Sequence, residues 1–222
     1  MVSLVEEICS LLEAHADRDK VVSLVSYTLK LWGATTKSPP LLTASVRVAG
    51  ARATLRLFDD AAALRALFRY GFGKQEGLLW GTLGLTNGLC TLSYLQAEKL
   101  VWLLDTGVLK LTPELAERIR IAHKLFWSLS AFIGLSRSLR ALHLTRKILK
   151  SPKRPKCAPV RVTQAALTST KLLLDVVHAV SWLPRGWLWG GALTTAQASA
   201  VATASAVLAL VVHYHGKRLL PR

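Results

Sequence analysis

Residues Gly186–Gly216, GWLWGGALTTAQASAVATASAVLALVVHYHG, run for 31 positions without one Asp, Glu, Lys or Arg. The Ala-rich centre, Ala192 to Val212, meets the length of roughly 20 apolar residues that a bilayer core demands of a helix. Trp182, Trp187 and Trp189 lie before it. His213, Tyr214 and His215 close it, with Lys217, Arg218 and Arg222 beyond. Interfacial aromatics backed by cations are the anchors of a spanning helix. Ala196, Ala200, Ala204 and Ser205 offer a small-residue face for a neighbouring helix. This stretch predicts a transmembrane helix over residues 191–213 and a basic tail over 214–222.

Composition points the same way. Half of the 222 residues are hydrophobic (51%), yet 29 Lys and Arg against 13 Asp and Glu leave a net charge of +16. A basic chain seeks a polyanion, either nucleic acid or an anionic membrane. No nucleic-acid module is visible, and the basic residues flank apolar stretches. The expected partner is an anionic phospholipid membrane, not nucleic acid. Cys9, Cys90 and Cys157 are odd in number and far apart, which fits reduced thiols rather than a disulfide framework or a metal site. The start, Met1-Val2-Ser3-Leu4-Val5, is followed by Glu6, Glu7 and Glu13 where a secretory signal would be apolar. The end, Leu219-Leu220-Pro221-Arg222, is no lumenal address tag.

No catalytic set emerges. Asp59 and Asp60 are adjacent, so on a helix they diverge by about 100°. His213 and His215 are two apart and face away from each other. The phosphate-cradling and nucleophile-elbow motifs are missing. The expectation is a non-enzyme without cofactor or metal.

Working back along the chain, Leu4, Ile8, Leu11 and Leu12 form one helical face. The cluster Asp17-Arg18-Asp19-Lys20 interrupts it, and Val21 to Trp32 resumes. Gly33 and Pro39-Pro40 mark an exit and a linker. From Ser45 to Tyr70, Val46, Ala53, Leu57, Ala61, Leu64 and Phe68 fall on one stripe at ~100° per residue. Arg52 and Arg56 border one flank, and Arg47, Arg65 and Arg69 the other. Such a helix can lie in a membrane interface with its guanidinium groups snorkelling to phosphates; it can equally be an amphipathic helix packed on its neighbours. Gly71 and Gly73 end it.

Gly77 to Ala97 has no charge, but its glycines at 77, 81, 84 and 88 suit close helix packing better than a full span. Thr112-Pro113-Glu114 is a helix start. The helix it opens carries an uncharged core of only 12 residues from Leu125, ended by Arg137 and Arg140, short for a span. Arg146, Lys147, Lys150, Lys153, Arg154, Lys156 and Arg161 then gather around Pro152, Pro155 and Pro159 without an acid, as expected of an extended basic loop.

Several pieces, in this order and spacing, resemble the peroxin-11 family of peroxisomal membrane proteins, most closely its gamma branch. They are Asp17-Arg18-Asp19-Lys20, Thr54-Leu55-Arg56-Leu57-Phe58-Asp59-Asp60, Tyr70-Gly71-Phe72-Gly73 and Glu98-Lys99-Leu100-Val101-Trp102. Trp127-Ser128-Leu129-Ser130, Gly134-Leu135-Ser136-Arg137-Ser138-Leu139, Leu172-Leu173-Leu174-Asp175-Val176-Val177 and Trp182-Leu183-Pro184-Arg185-Gly186 continue the match. The resemblance implies a factor that elongates and helps divide peroxisomes. Its amphipathic helix inserts in the cytosolic leaflet; it oligomerises with itself and its paralogues; it assists the fission adaptor machinery and is inserted by a soluble import receptor. It further implies a multi-pass protein of the peroxisomal membrane with both termini cytosolic and spans near Leu125 to Leu142 and Ala192 to Val212. A pore-forming or solute-conducting role in the same membrane is the alternative.

The expected fold is all-α: an integral membrane protein with N-terminal amphipathic helices and about two transmembrane helices. Residues 1–110 form a helical region whose membrane-active helix covers about 45–70. Residues 111–145 hold the first span at about 125–142, and 146–190 a basic Pro-containing loop and helix. The membrane-binding residues expected are Arg47, Arg52, Arg56, Leu57, Ala61, Leu64, Arg65, Phe68 and Arg69.

Overall fold

The computed structural model describes residues 4–217 and 219. Arg218 and Arg222 of the expected basic tail, and the Met1-Val2-Ser3 start, lie outside the described residues. The described residues form eight α-helices and two short 3-10 turns, with no strand: α1 Leu4–Glu13, α2 His15–Thr35, α3 Pro39–Leu55, α4 Asp60–Tyr70, α5 Leu78–Asp105, α6 Pro113–Leu149, α7 Ala158–Ser181 and α8 Thr195–Lys217. The 3-10 turns are Arg56–Phe58 and Lys74–Glu76.

Six helices close into a ring. α3 packs on α2, α2 on α8, α8 on α7, α7 on α6 and α6 on α5; α5 and α3 meet along a thin seam. The neighbours run antiparallel, as their side-chain pairs show. Ser26 and Arg52 fix α2 to α3 through the Ser45 carbonyl and Asp19. Thr91 and Ser130 hydrogen-bond between α5 and α6, and Ser138 meets Ser169 between α6 and α7 at 2.8 Å. Gln164 of α7 donates to the Val212 carbonyl and meets His215, both on α8. The seam is closed by polar side chains: Arg56 reaches Tyr94 and Glu98, and the Trp102 indole donates to Thr54.

The densest apolar packing surrounds α7. Ala131, Val176, Ala179, Val180 and Leu183 form a buried cluster against Trp127, Phe132 and Trp189. The segment expected as a basic loop and attached helix is therefore mostly a central helix. Arg146 and Lys147 sit in the last turn of α6, where cations suit the helix dipole. Only residues 150–157 form the loop.

Three expected boundaries shift. The first break falls at Ala14, and Asp17 to Lys20 lie in the opening turns of α2, where Lys20 pairs with Asp17 at 2.5 Å. Pro39-Pro40 start α3 rather than forming a linker, because proline fits the first helical turn, whose N–H has no partner to lose. The expected helix over 45–70 is two helices. Arg56–Phe58 tightens to a 3-10 turn as Arg56 is drawn inward to Glu98; Asp59 and Asp60 then open α4, at the end of a helix that favours negative charge. Thr112 caps α6 as expected, accepting from the Leu115 N–H.

Among the described residues, α8 is the one helix long and apolar enough to cross a membrane. At ~1.5 Å rise per residue its 23 residues span roughly 34 Å, against a hydrocarbon core of roughly 30 Å. α6 is longer, 37 residues, but the Arg and Lys at both ends of its apolar centre keep it below that hydropathy.

Candidate functional site

The expected membrane-binding residues separate into two groups. Arg52 and Arg56 turn inward. Arg52 makes a bidentate pair with Asp19, Nε to Oδ1 at 2.8 Å and Nη2 to Oδ2 at 2.9 Å. Arg56 donates to Tyr94 Oη at 3.1 Å, and its Cζ lies over that ring, 5.3 Å from the centroid. Leu57 beside it is half-buried. Arg47, Ala61, Leu64, Arg65, Phe68 and Arg69 stay exposed. The stripe read from the sequence thus survives on α4 and breaks before it.

α4 has two distinct faces. Its inner face, Leu67 and Tyr70, rests on the glycines of α5. A Cβ on Gly84 would collide with the Tyr70 ring, and one on Gly88 with Leu67. A Cβ on Gly81 would lie 2.7 Å from the Gly73 carbonyl oxygen. The close approach expected of these glycines is therefore real at 81, 84 and 88; Gly77 lies in open space with φ +83°. Tyr70 donates to the Trp80 carbonyl at 3.2 Å and Asp60 pairs with Lys99, so both ends of α4 are tied to α5.

The outer face carries Leu64 and Phe68, one turn apart, with Arg65 and Arg69 alongside. Phe58 before the helix and Phe72 and Leu78 after it are exposed as well; Phe58 is 85% exposed, Phe68 76% and Phe72 77%. Lone exposed apolar residues need no explanation, but a contiguous apolar surface bordered by cations marks an interaction site. Phe58, Phe72 and Leu78 fall outside the periodicity of α4, so sequence spacing could not mark them as exposed.

The second feature is a cavity of about 940 Å³ inside the ring, lined by α2, α3, α5, α6, α7 and α8. Seven Lys and Arg line it against three carboxylates, Asp19, Glu98 and Asp175. Most of these cations are paired: Arg52 with Asp19, Arg56 with Glu98, Lys171 with Asp175, Lys20 with Asp17 and Arg120 with Asp105. Burial works against the charge of Asp19, but the Arg52 hydrogen bonds win and hold its carboxyl below the usual range. Burial holds His123 and His178 down at about 4, so both are neutral at pH 7. Asp19, Lys20 and Lys30 come from α2, Arg120, His123 and Lys124 from α6, and Lys171, Asp175 and His178 from α7, and nothing in the sequence spacing brings these helices together. Among the described residues no cluster of His, Cys, Asp or Glu is placed to hold a metal.

An all-helical bundle with one helix of spanning length and an arginine-bordered apolar surface defines the class. The sequence model of the family described as Peroxisomal biogenesis factor 11 matches residues 5–212, and the chain belongs to this family. Membership makes it a peroxisome biogenesis factor. The chain is 29% identical over 223 residues to Peroxisomal membrane protein 11C of Homo sapiens, with 91% of each chain covered. It is 27% identical over 227 residues to Peroxisomal membrane protein 11C of Mus musculus, with 93% of each covered. No solved structure matches significantly.

Proposed function

We propose that the chain resides in the peroxisomal membrane and promotes elongation, proliferation and fission of the organelle by wedging the outer face of α4 into the cytosolic leaflet. The observation that carries this reading is the exposed surface of Leu64, Phe68 and Phe72 beside Arg65 and Arg69. Apolar side chains entering one leaflet expand it relative to the other, and each basic residue near an anionic surface adds about 1 kcal/mol of attraction. Arg52 and Arg56 contribute to the fold, so the membrane-binding set narrows to Arg47, Ala61, Leu64, Arg65, Phe68 and Arg69. α8 is one span and the apolar centre of α6, near Leu125 to Leu142, the second, with both termini cytosolic. Because α6 and α8 each run antiparallel to α7 and so parallel to one another, this topology requires them to part from the ring and cross the membrane in opposite directions. The curvature grows through further copies and paralogues of the chain, and fission adaptors act on the membrane so shaped. The basic segment from Lys150 to Lys156 is the mark read by the import receptor. The test is reconstitution of the full chain in anionic vesicles. Tubules with the wild type and spheres with Leu64→Glu/Phe68→Glu support the reading; tubules with both count against it.

The central cavity favours a second reading, solute conduction across the same membrane. Conductance in planar bilayers whose anion preference falls with Lys124→Glu supports it. A chain that never conducts removes it.

A further inference from the structure

Two cations of the central cavity have no carboxylate partner among the described residues. Lys30 Nζ rests over the Trp182 ring, 4.4 Å from its centroid, and Lys124 has no ion pair. The register between α6 and α7 brings them to one level: Ser138 meets Ser169, Gly134 meets Leu172 and Trp127 meets His178, which carries Lys124 to the height of Trp182. His178 lies at this same end. It is only 4% exposed, its ring meets Tyr27, Trp127 and Trp182 edge-on at 5.3, 5.4 and 5.9 Å, and its Nδ1 has no hydrogen-bond partner. A buried polar nitrogen without a partner is costly and calls for an occupant that satisfies it.

We infer that this end of the cavity binds the phosphomonoester head of a single-chain glycerolipid, with Lys30 and Lys124 neutralising the phosphate and His178 Nδ1 accepting a hydrogen bond from the free glycerol hydroxyl.

The charges match. A phosphomonoester carries about −1.5 to −2 at neutral pH, and two lysine charges are free. Burial alone lowers the Lys30 pKa, so an anion beside it relieves a desolvated cation. The neutral imidazole, whose Nε2 faces the Ala198 backbone, offers Nδ1 as an acceptor to the lipid's hydroxyl and adds no third charge. Away from Lys30 and Lys124 the acyl chain runs along Val46, Leu172, Ala206 and Val212, between charges that neutralise one another in the pairs Arg52–Asp19, Arg56–Glu98 and Lys171–Asp175. The volume of about 940 Å³ lies near the top of the roughly 300–1,000 Å³ typical of small-ligand pockets. The inference rests on the cavity and is independent of the α4 surface.

The test is native mass spectrometry of the full chain in detergent with 1-oleoyl lysophosphatidate, lysophosphatidylcholine of the same chain, and glycerol 3-phosphate. The expected result is one retained lysophosphatidate, held at least tenfold more tightly than the zwitterionic lipid. A hundredfold excess of glycerol 3-phosphate does not displace it. Lys30→Met/Lys124→Met abolishes the preference, and Lys150→Met/Lys153→Met in the exposed loop leaves it intact. Equal retention of the two lipids by the wild type overturns the inference without any variant having to fold. Displacement by glycerol 3-phosphate overturns it in favour of a soluble phosphate ester. A preference that survives the Lys30/Lys124 change places the lipid elsewhere and also overturns it.

Discussion

Arg52, on the arginine flank of the sequence stripe, grips Asp19 of α2 through two hydrogen bonds of 2.8 and 2.9 Å, 33 residues away. Both side chains are about three-quarters buried. Arg52→Ala leaves a buried carboxylate unpaired, and the expected loss is about 1–3 kcal/mol, the scale of a hydrogen bond to a charged group. Because the Asp19 pKa is lowered in the fold, its contribution is complete above the unfolded value near 4 and fades as pH falls through the folded value. Thermal unfolding of the detergent-solubilised chain checks both. An Arg52→Ala variant with wild-type stability contradicts the pairing.

The histidines impose an opposite-looking dependence with the same direction in acid. His123 and His178 titrate at about 4 in the fold, while an unfolded histidine takes its proton at roughly 6.5. The unfolded state binds more protons between those values, so stability falls as pH drops from about 6.5 to about 4. His178→Gln removes that share of the slope. Melting temperatures at pH 7 and pH 5 for the two proteins read it directly.

Gly84 sets the distance between α4 and α5, because a Cβ there meets the Tyr70 ring. Gly84→Val forces the two helices apart. The expected cost is about 1–3 kcal/mol, typical of overpacking, together with faster proteolysis between Phe58 and Tyr70. Gly77→Ala is the control for contacts, since Gly77 has open space around it, though its φ of +83° carries a strain cost. Limited proteolysis with mapped cleavage sites distinguishes the two.

The elements that periodicity and end signals dictate were legible: α8 from its 31 uncharged residues, the start of α6 from Thr112-Pro113, and the glycine contacts of α5. The ring was not. Its seam depends on Arg56 reaching Tyr94 and Glu98 across 38 and 42 residues, and no local pattern encodes such a partner. For the same reason the stripe over 45–70 read as one helix. At ~100° per residue, a 3-10 turn of three residues hardly disturbs the pattern, yet it redirects everything after it. The cavity lysines were invisible because Lys30 and Lys124 each look like an ordinary charge at a helix edge until the register of α6 on α7 brings them level.

The proposed topology, with spans in α8 and in the centre of α6 and both termini cytosolic, requires these two helices, parallel in the ring, to cross the membrane in opposite directions. Tags at both ends of the chain are expected to be digested by protease on intact peroxisomes, while a tag in the loop at residues 150–157 is protected. A protected C-terminal tag beside an accessible N-terminal one indicates α8 as the single span.

The central claim is that the outer face of α4 shapes the membrane. The most direct measurement is peroxisome length and number in cells expressing the full chain with Leu64→Glu/Phe68→Glu, after membrane insertion has been confirmed by carbonate extraction. The account predicts elongated and multiplied peroxisomes with the wild type, and an inserted variant that leaves them short. An inserted variant that elongates peroxisomes as the wild type does would contradict it.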